Sequence, residues 1–443
     1  MSGVTIPPRS GPAIRARHAA AIAFGALALL WPALVNFYPL VFSDTGAFLA
    51  QFFARFMVWD KPWIYGPVLG AVSAGLSLWL PAIAQALLVS ATLWAAARVL
   101  GAARPARHVA LCLLLAALST APWFASLLMP DILAPLLVLA LFLLAFAPGP
   151  ARRWPWALLA TFCIAAHLAH LVIAAAVLAV IALLRPRRLL PAAVPLAAAL
   201  ALLLATNLAG HGRLAVSPYG AVFFLSRLVA DGPARDHIRA ACPASGYALC
   251  AWADRLPTDS DAFMWDPNGP VWSHPGGPPG LAPEAGRIVT ATILGAPAAV
   301  ARDMARNTAA QLVQVRLGET LGNYYLDETV GKWLREAFPA AEAARFRAAL
   351  QFQDRIAPIA APLQAPQSWL LLPAALACGV LALARRRRAP RQAALASLVL
   401  AGVLANAFAT GALAGPHDRY GARIAWLLLV PPALAVLARP PRA

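Results

Sequence analysis

RRWPWALLATFCIAAHLAHLVIAAAVLAVIALLRPRR, residues 152–188, decides how this chain is folded. Arginines close it at both ends: Arg152 and Arg153 before, and Arg185, Arg187 and Arg188 after. The apolar stretch between them, 155–184, is long for one membrane helix and short for two, since a crossing takes roughly 20 residues. One crossing would set the two arginine groups on opposite sides of a bilayer. Two short helices turning near His167-Leu168-Ala169-His170 keep them on the same side, as the positive-inside bias requires. The same reading extends outward. Residues 19–40 and 81–100 each give one span, and 109–147 gives two with a turn at Ala121-Pro122-Trp123. Beyond the quoted stretch, 189–208, 368–384, 393–413 and 423–438 give one each, with Arg385–Arg388 on the basic side. The expectation is an all-α polytopic membrane protein of about ten transmembrane helices with an extracytoplasmic domain of loops and helices. Both termini are expected to be cytoplasmic.

Composition agrees with a membrane class and excludes others. The chain of 443 residues is 61% hydrophobic and 12% charged with mean hydropathy +0.69, values foreign to a soluble domain of this size. The net charge of +18 does not point to nucleic acid, because the arginines flank apolar spans. Basic residues are almost all Arg, with Lys only at Lys61 and Lys332, and Ala and Pro are abundant, a codon bias of a high-GC genome. The expected location is a bacterial inner membrane. The first span follows Arg15, Arg17 and His18 like a signal peptide, but no small-residue cleavage site follows it, so it reads as a retained helix.

Three regions result. Residues 1–208 form a transmembrane core whose first outer loop, 41–80, holds a helix lying in the interface between Lys61-Pro62-Trp63 and Trp79-Leu80-Pro81. Residues 209–366 form a periplasmic domain, rich in Pro, Gly and Trp in its first half and helically patterned over about 284–356. Residues 367–443 return to the membrane. Cys112, Cys163 and Cys378 fall in apolar spans as small buried residues. Cys242 and Cys250 bracket a polar segment in an oxidising compartment; this favours a disulfide over metal binding, which would want closer His or Cys partners.

All 18 acids fall on the outer side in this scheme. Four groups share one level: Asp44 with Asp60 and Lys61; Asp131 after Met129-Pro130; His167 and His170; and Asp418-Arg419-Tyr420 with Arg423. Each has a plain reading. Asp44 could be solvated, Asp131 could be a first-turn acid favoured by the helix dipole, the histidines could satisfy carbonyls, and Arg423 could anchor the interface. Arginine on the outer side nevertheless runs against the charge bias and wants an anionic partner such as a phosphate. Moving a sugar from a lipid-linked phosphate needs a carboxylate to deprotonate the acceptor and cations to hold the departing phosphate. The candidate catalytic residues are Asp44, Asp131 and His170. The candidate donor-phosphate residues are Arg419, Arg423, Lys61 and Tyr65.

With Ser43-Asp44-Thr45 after the first helix, Tyr65-Gly66-Pro67 in the long outer loop, Pro130-Asp131 in the second outer turn and His170 in the short hairpin, the chain resembles the C-type polytopic glycosyltransferases. These use polyprenyl-phosphate sugars. The resemblance implies a transmembrane core over roughly 1–210, Asp44 as catalytic base, and Asp131 as a second acid near the donor or a divalent cation. The chain departs from the pattern in having no Asp-x-Asp pair and no acid adjacent to Asp44, so no metal ligands are assigned. Two other readings stand beside it. A transporter would need charged or broken helices at the membrane midplane, and a non-catalytic envelope assembly protein would use the Trp- and Pro-rich 252–283 as a partner surface.

Overall fold

The computed structural model describes residues 12–148 and 153–438. Arg152 and both chain termini, with the arginines after residue 438, lie outside the described residues. Every extended element described is helical apart from one isolated parallel bridge, Leu40 to Leu127.

The expected ten spans are corrected to five. Trp79–Val99, Pro186–His211, Ile356–Ala384, Pro390–Ala412 and Asp418–Leu437 are long and apolar enough to cross a membrane. A sixth is reached only if Gly277–Gly295 and Pro297–Val313, bent by 104° at their junction, count as one broken span. The error has a physical cause. The quoted stretch does break at His167, into Trp154–Ala166 of 13 residues and Ala169–Leu184 of 16. With Pro105–Leu118 (14 residues) and Pro130–Phe146, these helices rise about 1.5 Å per residue and fall short of a hydrocarbon core about 30 Å thick. The first helix, Pro12–Leu29, carries Arg15, Arg17 and His18 in its own first turns.

Apolar length misled because it also describes a helix enclosed by protein. Leu133–Phe146 is that case, with all 14 residues buried. It is surrounded by the helices Trp79–Val99, Trp154–Ala166, Ala169–Leu184 and Pro390–Ala407. Between apolar helices in lipid, close fit rather than water exclusion supplies the attraction, so small residues matter at crossings. Gly402 is one: a Cβ there would come within 2.6 Å of Val138 Cγ2.

The region after His211 is helical and divides its loyalty. Buried residues between Tyr219 and Val300 form a hydrophobic cluster of their own, with Trp59 of the first outer loop packed against it. Residues Leu317 to Ala360 instead join the core of the membrane helices.

Candidate functional site

Asp44 opens the helix Ser43–Phe53, after an extended Phe42. Thr45 Oγ1 accepts the Phe42 backbone N–H at 3.0 Å and donates to the Leu128 carbonyl at 3.0 Å. Leu40 N–H donates to Ser126 O and Leu128 N–H to Leu40 O, each at 2.9 Å. Gln85 Nε2 donates to the carbonyls of Phe124, Ala125 and Leu127 and so holds the other side of that segment. The chain leading to Asp44 is thereby stitched to the chain leading to Asp131, which sits in the turn Pro130–Ile132 at the start of the buried central helix.

Asp131 is 2% exposed and lies between two buried arginines, 3.8 Å from Arg419 Nε and 3.5 Å from Arg423 Nη1. Both distances are ion-pair rather than hydrogen-bond lengths. Arg423 Nε and Nη2 donate to Asn406 Oδ1 at 3.1 and 2.9 Å, and Asn406 Nδ2 donates to the Tyr420 carbonyl. The Arg419 guanidinium lies 4.4 Å from the centre of the Phe42 ring and 5.1 Å from that of Tyr420. Phe42 therefore joins the Asp44 segment to the Asp131 pair directly.

Lys61 supplies the third cation. Its Nζ is 3.2 Å from Asp44 Oδ1 and also pairs with Asp60. Burial would lower the Lys61 pKa, but the carboxylates of Asp44 and Asp60 outweigh it and hold it above the usual value. Tyr65 starts the helix Tyr65–Ser73, its ring edge-on to Phe48 at 4.8 Å and stacked on Phe162. Burial, with the nearby charge of Asp131, pushes its phenol up. His170 is fully buried; its Nδ1 is 2.6 Å from the Cys163 carbonyl. That acceptor assigns the proton to Nδ1 and leaves Nε2 as an acceptor when the ring is neutral. His167 instead accepts the Ala169 N–H at 3.2 Å and closes the turn, with its ring centre 5.1 Å from that of His170.

The structure thus gathers Asp44, Lys61, Tyr65, Asp131, His170, Arg419 and Arg423 around the starts of four helices, at Ser43, Pro130, Ala169 and Asp418. Helix starts carry partial positive charge and suit anionic groups. Five buried atoms at these residues have no hydrogen-bond partner among the described residues: Asp131 Oδ1, Arg419 Nε and Nη1, Arg423 Nη1 and His170 Nε2. Three of them, Asp131 Oδ1, Arg419 Nε and Arg423 Nη1, face one another in the ion pairs, which leaves Arg419 Nη1 and His170 Nε2 as the two atoms here with neither kind of partner, where buried polar atoms are nearly always partnered.

Cys242 and Cys250, expected to pair, are joined by a disulfide in the outer region. A divalent cation does not fit the cluster. Asp44 already pairs with Lys61 and Asp131 with two arginines, so a metal would have to displace cations from both. Among the described residues no group of three or more His, Cys, Asp or Glu is arranged to hold one.

Several supporting residues had no sequence signal. Gln351 takes the Val41 N–H at 3.1 Å and donates back to the Val41 carbonyl at 2.7 Å, while its own N–H donates to Asn36 Oδ1. Glu342 Oε1 accepts from Tyr38 Oη, Ser77 Oγ and the Leu78 N–H, all within 2.8–2.9 Å. Gln311 makes a reciprocal pair with the His417 backbone. Each partner lies far away in sequence, and nothing local marks these residues as other than amphipathic-helix surface.

No family model matches the chain, and neither the comparison with curated proteins nor that with solved structures gave a match.

Proposed function

We propose that this multi-pass helical membrane protein is a glycosyltransferase that moves a sugar from a polyprenyl-phosphate carrier to an envelope acceptor on the periplasmic face of a bacterial inner membrane. The observation that carries the reading is that the pair Asp44–Lys61 adjoins, through Phe42, the buried pairing of Arg419 and Arg423 with Asp131, where Arg419 Nη1 has no partner among the described residues.

The chemistry divides among them. The Asp44 carboxylate takes the proton of the acceptor hydroxyl as its oxygen bonds to the anomeric carbon. The bond from that carbon to the carrier phosphate breaks, and the electron pair leaves with the phosphate. Arg419 and Arg423 offer planar donors to the departing oxygens, a pairing worth more in a buried site than in water. Lys61 holds Asp44 in place. Asp131 keeps the two buried guanidiniums charged-paired when no phosphate is bound. The neutral His170 offers Nε2 as a hydrogen-bond acceptor for a sugar hydroxyl.

The test is the mass profile of membrane lipids and surface polysaccharide in cells lacking the protein, complemented with wild type or Asp44→Ala. Loss of a hexose or pentose restored only by wild type supports the reading; removing a general base should reduce transfer by about 10²–10⁴-fold. If Asp44→Ala restores the full profile, Asp44 is not the base, and the charge-balanced cluster is a clamp in an assembly protein.

A further inference from the structure

The arginines that frame the broken hairpin are not used by the charged cluster. Trp154–Ala166 and Ala169–Leu184 turn at His167, so Arg153 and Arg185 lie at their other ends, about 20 Å away along the helices. Leu189–His211 packs along Trp154–Ala166 and starts at the same end, with Arg188 at its N-cap as Arg153 is at the N-cap of its neighbour. Arg185 rests on the Phe146 ring, 5.2 Å from its centre. Arg153 and Arg188 instead face each other: burial, and next the charge of Arg188, pull the Arg153 guanidinium below its ordinary value. Arg153 Nε is buried with no hydrogen-bond partner among the described residues. No acid is at hand, since the chain has no Asp or Glu between Asp131 and Asp231. Two like charges held together in this way call for an anion, and the partial positive charge of two helix starts adds to theirs. One turn apart on each helix stand apolar side chains that are more than half exposed, Trp154 with Leu158 and Leu190 with Val194.

We propose that Arg153 and Arg188 hold the phosphate of an anionic phospholipid whose acyl chains cover these apolar pairs. A phosphate offers acceptor oxygens to both guanidiniums at once. The apolar pairs commit the site to a lipid, because a soluble anion would leave them bare. A zwitterionic headgroup would bring its own cation against two arginines. Trp154 suits the headgroup level, where indole rings collect. The bound lipid ties the base of the hairpin whose turn carries His167 and His170 to the helix Leu189–His211. The site stands independently of the sugar-transfer reading.

The experiment titrates the full-length protein in detergent with phosphatidylglycerol, phosphatidylcholine or glycerol 3-phosphate, followed by native mass spectrometry and thermal melts. Phosphatidylglycerol should be retained as a single adduct and raise the unfolding temperature; the other two should do neither. Arg153→Gln and Arg188→Gln should each weaken retention roughly five-fold, and the lysine variants less. Without lipid, the glutamine variants relieve a repulsion and should melt no lower than wild type. A lower melt would make the arginines props of the fold and sink the proposal. Replacing Arg386 and Arg387 together by Gln removes as much charge just beyond the helix Ile356–Ala384 and should leave the adduct intact. Equal loss there would mean diffuse surface charge and no site. Equal retention of phosphatidylcholine would remove the demand for an anion, and equal binding of glycerol 3-phosphate the demand for a lipid; either result overturns the proposal.

Discussion

Asp131 shows how much depends on single charges here. It faces Arg419 and Arg423, both buried, so neutralising it strands two guanidiniums away from water. Asp131→Asn is expected to cost about 3–5 kcal/mol, seen as a lower unfolding temperature in detergent. Adding Arg423→Met to it should recover part of that loss, because one stranded charge goes with it. Lys61 behaves differently with pH. Its folded pKa is raised, by carboxylates that outweigh burial. Its contribution is therefore complete below the ordinary lysine value of about 10.4 and fades only as pH rises through the higher folded value. Lys61→Met should destabilise by about 1–3 kcal/mol, equally at every pH from roughly 6 to 9, as read by thermal melts. A loss that varied across that window would place the titrating group elsewhere.

Helices are where sequence reading both succeeded and slipped. Asp44, Asp131 and Arg419 were visible because each stands just outside an apolar run, where a charge needs a reason. The break at His167 was visible from the arginines at both ends of its stretch. What stayed hidden was that the 14 residues of Leu133–Phe146 are wrapped by protein, since an all-round apolar helix reads identically in lipid or in a core. Gln351 and Glu342 were hidden for another reason: a polar residue in a helically patterned stretch gives no sign that its partner lies some 300 residues away in the first outer segment. Packing at this scale is testable. Gly402→Leu should force Val138 aside and cost about 1–3 kcal/mol, with a matching fall in membrane yield. Replacing Cys242 and Cys250 by Ser opens a loop with sequence separation 8 and should loosen it by about 2 kcal/mol, read as faster proteolysis between them.

For the molecule as a whole, the outer region and the membrane helices form a single working unit through two buried side chains. Glu342 holds Tyr38, Ser77 and the Leu78 N–H, and Gln351 holds both sides of Val41, three residues before Asp44. Glu342→Ala leaves those donors unpaired at about 1–3 kcal/mol each. It should lower the unfolding temperature in detergent more than Asp327→Asn, which removes only an exposed pairing with Arg335 and Arg347. Comparable effects of the two variants would mean that the outer region does not set the geometry of the first loop.

Chain order gives the cluster around Asp131 a timetable. Translation makes the central helix early, and its carboxylate must wait through most of synthesis for Arg419 and Arg423 to arrive. Until the helix beginning at Asp418 docks, that acid lacks both arginines, although the helices that wrap the apolar helix below it, from Trp79–Val99 to Pro390–Ala407, have all been made. The last helix is therefore the keystone: a chain that ends before it has a wrapped core with a buried carboxylate at its tip and neither arginine to pair it.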